Sequence, residues 1–116
     1  MTVRKLDRAE WRDFFDHISN AIVGKRAEIE VASLALGEQI EVEWLPVLGI
    51  TYDYKDDIID IALQGLDHLI KHPTEVYAEV GPTGLSSLEI VDAEGTKQII
   101  KLRDPLMLPS SSRTAG

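Results

Sequence analysis

Ala27-Glu28-Ile29-Glu30-Val31-Ala32-Ser33-Leu34-Ala35-Leu36-Gly37-Glu38-Gln39-Ile40-Glu41-Val42-Glu43-Trp44 is the stretch whose pattern decides the fold. Ala27, Ile29 and Val31 alternate with Glu28 and Glu30, and Ile40, Val42 and Trp44 alternate with Glu41 and Glu43. A period of two sends successive side chains to opposite faces of an extended chain, so each half predicts a strand with one buried face. Leu34-Ala35-Leu36-Gly37 between them is short enough to close a hairpin. Pro46 interrupts or ends the second strand, because proline has no N–H to donate to a ladder.

N-terminal to this hairpin the period changes. Trp11, Phe14, Phe15, Ile18 and Ile22 form one stripe of a 3.6-residue repeat over residues 7–24, with Arg8, Arg12, Asp13 and Asp16 on the wetted side. Asp7 and Glu10 have capping-box spacing at the start, and Gly24 stands where a left-handed cap is needed at the end. C-terminal to the hairpin, Leu48–Tyr52 and Ile58–Leu63 flank Asp53-Tyr54-Lys55-Asp56-Asp57, a run of turn formers that predicts a second hairpin. Gly65–Lys71 is expected to make one or two helical turns, stopped before Pro73. Strands are expected at Glu75–Val80, Leu85–Val91 and Lys97–Leu102, with turns at Gly81-Pro82-Thr83-Gly84 and at Asp92-Ala93-Glu94-Gly95.

The expected class is therefore α+β: an N-terminal amphipathic helix packed on a mainly antiparallel sheet of six or seven strands, with one short second helix. The sheet is either open or curled into a partial barrel. Residues 1–109 read as a single domain and 110–116 as a disordered tail without apolar anchors. Leu106, Met107 and Leu108 are expected to fold back on the sheet, the alternative being to dock into a partner or a second copy.

Composition narrows function. The 116 residues carry 12 Lys plus Arg against 20 Asp plus Glu, a formal charge of −8, and no Cys. Disulfides, thiolate metal sites and a cysteine nucleophile are excluded. So acidic a chain argues against nucleic-acid binding, which needs a basic face. No apolar run reaches the roughly 20 residues that span a bilayer, and Met1-Thr2-Val3-Arg4-Lys5 lacks the apolar core of a signal peptide. A cytoplasmic protein of bacterial type is expected.

The charge is not evenly spread. Residues 27–60 hold nine acids against Lys55 alone, while the rest of the chain is balanced. If Ile29 and Val31 share a face with Ile40, Val42 and Trp44, then Glu30 lies opposite Glu41 or Glu43, and in the tighter register Glu28 lies opposite Glu43. Such like-charge pairs each cost roughly 0.2–1 kcal/mol. A solvated acidic face, or one covered by Arg or Lys from elsewhere in the fold, accounts for this plainly. The functional expectation is that Glu28, Glu30, Glu41 and Glu43 dock a basic protein partner. A flat face is a poor cage for Ca²⁺ or Mg²⁺.

Other constellations are thinner. His68 and His72 would share a face on a helix, with Asp67 beside them and His17 as a distant third imidazole, but a zinc site needs at least three protein ligands. Asp53, Asp56, Asp57 and Asp60 suggest a paired-carboxylate site, though Asp clusters also make turns. No nucleophile elbow, phosphate loop or dinucleotide fingerprint occurs, so no cofactor is expected and a non-enzymatic role is favoured. The rival is a small-molecule or weakly catalytic pocket under the N-terminal helix, lined by Trp44 and Tyr52 with Asp67 and His68 at its mouth. A homo-oligomer assembled through sheet edges or the tail is a third possibility.

Several stretches together resemble a small bacterial family of uncharacterised proteins of this length. They are Glu10-Trp11, Glu28-Ile29-Glu30-Val31-Ala32-Ser33-Leu34, Glu43-Trp44-Leu45-Pro46, Gly49-Ile50-Thr51-Tyr52-Asp53, Gly65-Leu66-Asp67-His68-Leu69-Ile70, Leu88-Glu89-Ile90-Val91-Asp92 and Leu102-Arg103-Asp104-Pro105-Leu106. The resemblance covers nearly the whole chain and implies a bacterial protein without a cofactor. It implies no activity and no site residue.

Overall fold

In the computed structural model, residues 2–82 and 84–104 are described. The expectations for Leu106-Met107-Leu108 and for 110–116 lie outside them. The chain runs β1 (Thr2–Leu6), a 3-10 turn (Arg8–Glu10), α1 (Trp11–Ile22), β2 (Arg26–Ser33), β3 (Gly37–Asp53) and β4 (Ile58–Leu63). It continues through β5 (Leu66–Lys71), β6 (Pro73–Gly81), β7 (Gly84–Asp92) and β8 (Lys97–Arg103). All pairings are antiparallel, in one sheet ordered β1-β6-β7-β8-β2-β3-β4-β5.

This corrects the α+β expectation: among the described residues there are eight strands and one α-helix, so the fold is mainly β. Three local causes explain the difference. Thr2–Leu6 pairs with β6 although only Leu6 in it is buried, so its edge position left no alternation to read. Leu66–Lys71 is a strand paired with β4, not a helical turn: Gln64-Gly65 makes a tight turn with Gly65 at φ +93°, and Ile70 points in while Leu69 points out. The third cause is Pro46. It does not end its strand, because there β3 changes partner, from β2 up to Pro46 to β4 from Val47 onward. A residue without an N–H is tolerated where one ladder stops and the next begins.

The edge of β3 that β2 leaves is taken over by α1. The Ile50 N–H donates to Ser19 Oγ at 3.1 Å, giving that strand edge a side-chain partner from the helix. Gly49 permits the approach, since a Cβ there would stand 3.1 Å from the same oxygen. Trp11, Phe15, Ile18 and Ile22 are buried, and Phe14 packs at the margin of the core. At the helix start the Glu10 carboxylate accepts from the Asp7 N–H at 2.9 Å, the returning half of a capping box. The Trp11 indole N–H donates to the Leu6 carbonyl at 3.3 Å, tying the helix to β1.

The sheet also folds back on itself. His72 alone carries the chain from β5, last in the strand order, to β6, beside the first. His72 sits at φ 54°, its N–H bonded to the Asp57 carbonyl, and its own carbonyl accepts from Ala93. Across the interior, His68 of β5 bonds Gln98 of β8, the one buried polar residue of the described core. Ile29, Ile50, Ile59, Ile61, Ile70, Leu88, Ile90 and Ile100 fill the space between. No helix of the described residues is long and apolar enough to cross a membrane.

Candidate functional site

The acidic hairpin departs from simple alternation at two β-bulges. Ile29 pairs with Val42, but Glu30 pairs with Ile40, so Glu41 is an extra residue on β3. Towards the other end Ala27 pairs with Leu45, so the single residue Glu28 spans two, Glu43 and Trp44. Trp44 takes φ 52° there. Each extra residue flips the side chains beyond it to the other face. Of the three apolar residues expected to point inward together, Val42 is buried, Ile40 is 48 % exposed and Trp44 lies outward beneath the Arg103 guanidinium, 5.0 Å from its ring centre.

The bulges and the pairing of β2 with β8 together set what the four glutamates meet. Glu30 has Ile40 on one side and Ile99 of β8 on the other, not a second carboxylate. Glu28 lies opposite Lys101, whose Nζ is 3.8 Å from its carboxylate, and its side chain is only 16 % exposed. Glu41 and Glu43 are exposed on β3. The expected Glu30 pairing with a second glutamate is therefore absent, and Glu28, which spans Glu43 and Trp44 at the bulge, is compensated by Lys101, while Glu30, Glu41 and Glu43 have no ion-pair partner among the described residues.

At the tip of the same hairpin two leucines stand in water. Leu34 is fully exposed and Leu36 71 % exposed, in a turn held by the Leu36 N–H on Ser33 Oγ at 3.0 Å. With Glu94, Gly95 and Thr96 of the β7–β8 turn they line a shallow cleft of about 410 Å³. In the sequence, Leu34-Ala35-Leu36-Gly37 reads only as a connection. The signal that could have exposed it is compositional, since hairpin turns favour Gly, Asn, Asp and Ser rather than two leucines.

The residues of the rival pocket are not brought together. Tyr52 is buried under the start of α1, with Trp11 edge-on at 5.3 Å. Trp44 lies eight residues away along β3, at the second bulge. Asp67 and His68 are on β5, where His68 is engaged by Gln98. His68 is on β5 and His72 at the left-handed β5–β6 corner, neither on a helix, so the spacing that would align them on one helical face does not apply. Among the described residues no three His, Asp or Glu are grouped to hold a metal ion.

The carboxylates of residues 53–60 separate into distinct duties. Asp53 Oδ1 accepts from the Lys55 and Asp56 N–H groups at 2.9 and 3.3 Å, ordinary turn chemistry. Asp57 is the centre of a polar cluster: it accepts from the Tyr52 hydroxyl at 2.7 Å and from Arg8 Nη1 at 3.2 Å, with His72 Nδ1 at 3.5 Å. Arg8 Nη1 also donates to the Tyr52 oxygen at 3.1 Å, its Nη2 to the Pro73 carbonyl at 2.8 Å, and its guanidinium lies 4.4 Å over the Trp11 ring. Burial by itself would raise Asp57, but the hydrogen bonds from Tyr52, Arg8 and His72 outweigh it and hold the carboxyl below its usual 3.8. Burial and the Asp57 carboxylate push the Tyr52 hydroxyl up. Asp60 is the opposite case. One of its oxygens is buried with no partner, and burial, with Asp67 nearby, raises its pKa.

This cluster joins the 3-10 turn, the β3–β4 turn and the β5–β6 corner; its sequence neighbours gave no hint, because the partners lie 44, 49 and 65 residues from Arg8. Its groups are committed to one another, which suits a brace better than a reaction centre.

Comparison with known proteins gives a family and a relative. The profile of a family of unknown function, DUF5335, matches residues 2–111. An uncharacterized protein of Aquifex aeolicus (strain VF5) is 36% identical over 110 residues, covering 94% of this chain and 99% of the relative. No solved structure matches the chain.

Proposed function

The chain belongs to the DUF5335 family of unknown function, and from that premise we propose that it acts by binding, its β2–β3 hairpin docking a basic, amphipathic segment of a partner protein. The observation that carries this is the pair of exposed leucines, Leu34 and Leu36, at the end of a hairpin whose uncompensated charges, Arg26 at its base aside, are acidic. Apolar side chains left in water are normal when scattered, but two at one tip beside a cleft of about 410 Å³ form a patch that a partner can cover. Glu38, Glu41 and Glu43 are exposed on the same strand, Glu30 is half-buried across from Ile40, and Glu94 borders the cleft. Glu28 contributes least, because Lys101 already answers it.

The charges select the partner's sign and speed its approach, while the leucines supply the area that desolvates. A partner presenting Leu or Ile between lysines or arginines satisfies both. Fluorescence anisotropy of a labelled Lys/Leu amphipathic peptide measures this directly. Leu34→Ser with Leu36→Ser, and separately Glu41→Gln with Glu43→Gln, should each weaken binding about tenfold or more. Affinity should also fall steeply between 50 and 300 mM salt. Both pairs are on the surface, so their melting temperatures should stay close to that of the parent chain. Equal binding by the parent and the leucine variant would overturn the proposal.

A further inference from the structure

A second cleft, between the start of α1 and the β3–β4 turn, has a different lining. It measures about 380 Å³ and is lined by Arg8, Ala9, Arg12, Tyr52 and Tyr54. That volume lies in the usual range of small-molecule sites, roughly 300–1,000 Å³. In a chain of net charge −8 it is bordered by two guanidinium groups and two phenol rings.

The two arginines are in different states. Arg8 is fully engaged: Asp57 answers its charge, Tyr52 and the Pro73 carbonyl accept from it, and Trp11 lies against its face. Arg12 is held by one contact, its guanidinium 5.0 Å over the Tyr54 ring, and no carboxylate of the described residues pairs with it. Stacking uses the face of a guanidinium and leaves its in-plane N–H fork open, which matches a carboxylate or phosphate group. The stack also narrows the orientations Arg12 can take, so less freedom is lost when an anion arrives. Asp57, the acid bonded into this wall, is spent on Arg8, Tyr52 and His72, leaving Arg12 as the lining cation without an ion-pair partner among the described residues.

We propose that this cleft binds a small aromatic oxyanion, an aryl carboxylate or aryl phosphate, whose charged group is held by the Arg12 fork and whose ring lies against Ala9 and the two tyrosines. Inorganic phosphate alone fills too little of the cleft and meets no apolar wall. A neutral aromatic amide lacks the charge for Arg12.

Trp11 abuts both Arg8 and Tyr52, so its fluorescence reports on the site. Titration with benzoate, phenyl phosphate, benzamide and inorganic phosphate at low ionic strength should show saturable binding of at least one of the first two. Benzamide and inorganic phosphate should bind at least tenfold more weakly. Arg12→Gln should weaken the aryl anion at least tenfold, and Arg12→Lys by less, because it restores charge without the fork. The Arg12 side chain makes no hydrogen bond among the described residues, so Arg12→Gln is expected to fold, which circular dichroism checks. Which aryl anion binds more tightly tells carboxylate from phosphate. The proposal is overturned if neither aryl anion binds better than benzamide, or if Arg12→Gln binds as well as the parent chain. Neither result bears on the hairpin tip, whose Leu34 and Leu36 line a different cleft.

Discussion

Asp57 and Asp60 show how two acids three residues apart can have opposite effects on stability. Asp57 accepts hydrogen bonds from Tyr52 and Arg8 and meets His72, and its pKa falls below 3.8. A carboxyl lowered in the folded state contributes stability that is present above its unfolded pKa and is lost as pH falls through the folded value. It also tolerates φ 56°, a left-handed backbone that Asp adopts more readily than most residues. Asp60 has a buried oxygen without a donor, and its pKa is raised by burial first and by Asp67 second. Its ionised form opposes folding at neutral pH, and stability is regained as pH drops through its folded pKa, the penalty being gone below 3.8. Asp60→Asn, which removes the charge and adds a donor, should therefore stabilise the protein by about 1 kcal/mol at pH 7. The gain should shrink as the pH of the urea melts is taken towards 4. A variant equal to or less stable than the parent at pH 7 would refute this account.

Among elements, α1 and β3 carry most of the explanation. The helix does more than cover a sheet: it occupies the edge that β2 leaves when β3 changes partner at Pro46. Its stripe was legible because a 3.6-residue apolar repeat needs no knowledge of what it faces, and Trp11, Phe15, Ile18 and Ile22 are all buried. Phe15, wholly buried, anchors it. Phe15→Ala should cost about 3–5 kcal/mol of unfolding free energy in denaturant titration, whereas Arg12 on the opposite side should be nearly neutral to stability. The β2–β3 pairing was legible as a hairpin but not in its register. A bulge adds one residue to one strand and leaves the hydrophobic pattern almost intact, so alternation alone pairs Glu30 with another glutamate where the fold pairs it with Ile40. For β5, six residues before a proline fit a helical turn as well as a strand. Pairing with β4 settles the matter, and no local signal carries it.

At the scale of the molecule, the strand order accounts for where the protein should be most and least resistant to opening. β2, β8 and β7 each have neighbours on both sides within the same ladder set, whereas β1 and β5 stand at the two ends of the order. Native-state hydrogen exchange should find the slowest amides in β8 and β2 and the fastest in β1 and in the turn at Ser33–Gly37. Slow exchange throughout β1 would mean that its outer edge is covered, as an oligomer joined there would require. The charge follows the same layout: the acidic excess lies on the β2–β3 hairpin and the β3–β4 turn, while the cleft beside that turn is lined by Arg8 and Arg12.

The order of residues by itself determined the amphipathic helix, the two-residue alternation of β2 and β3, the confinement of the net charge to residues 27–60 and the family to which the chain belongs. Each is a property of neighbours along the chain, or of a tally over it. Tertiary structure alone decided strands β1 and β5, the β8 register that gives Glu28 a lysine, the bulge that gives Glu30 an isoleucine, and the meeting of Arg8, Tyr52, Asp57 and His72. Those depend on which strands pair and in what register, and pairing energy is gained only between segments that folding brings together from far apart in the chain.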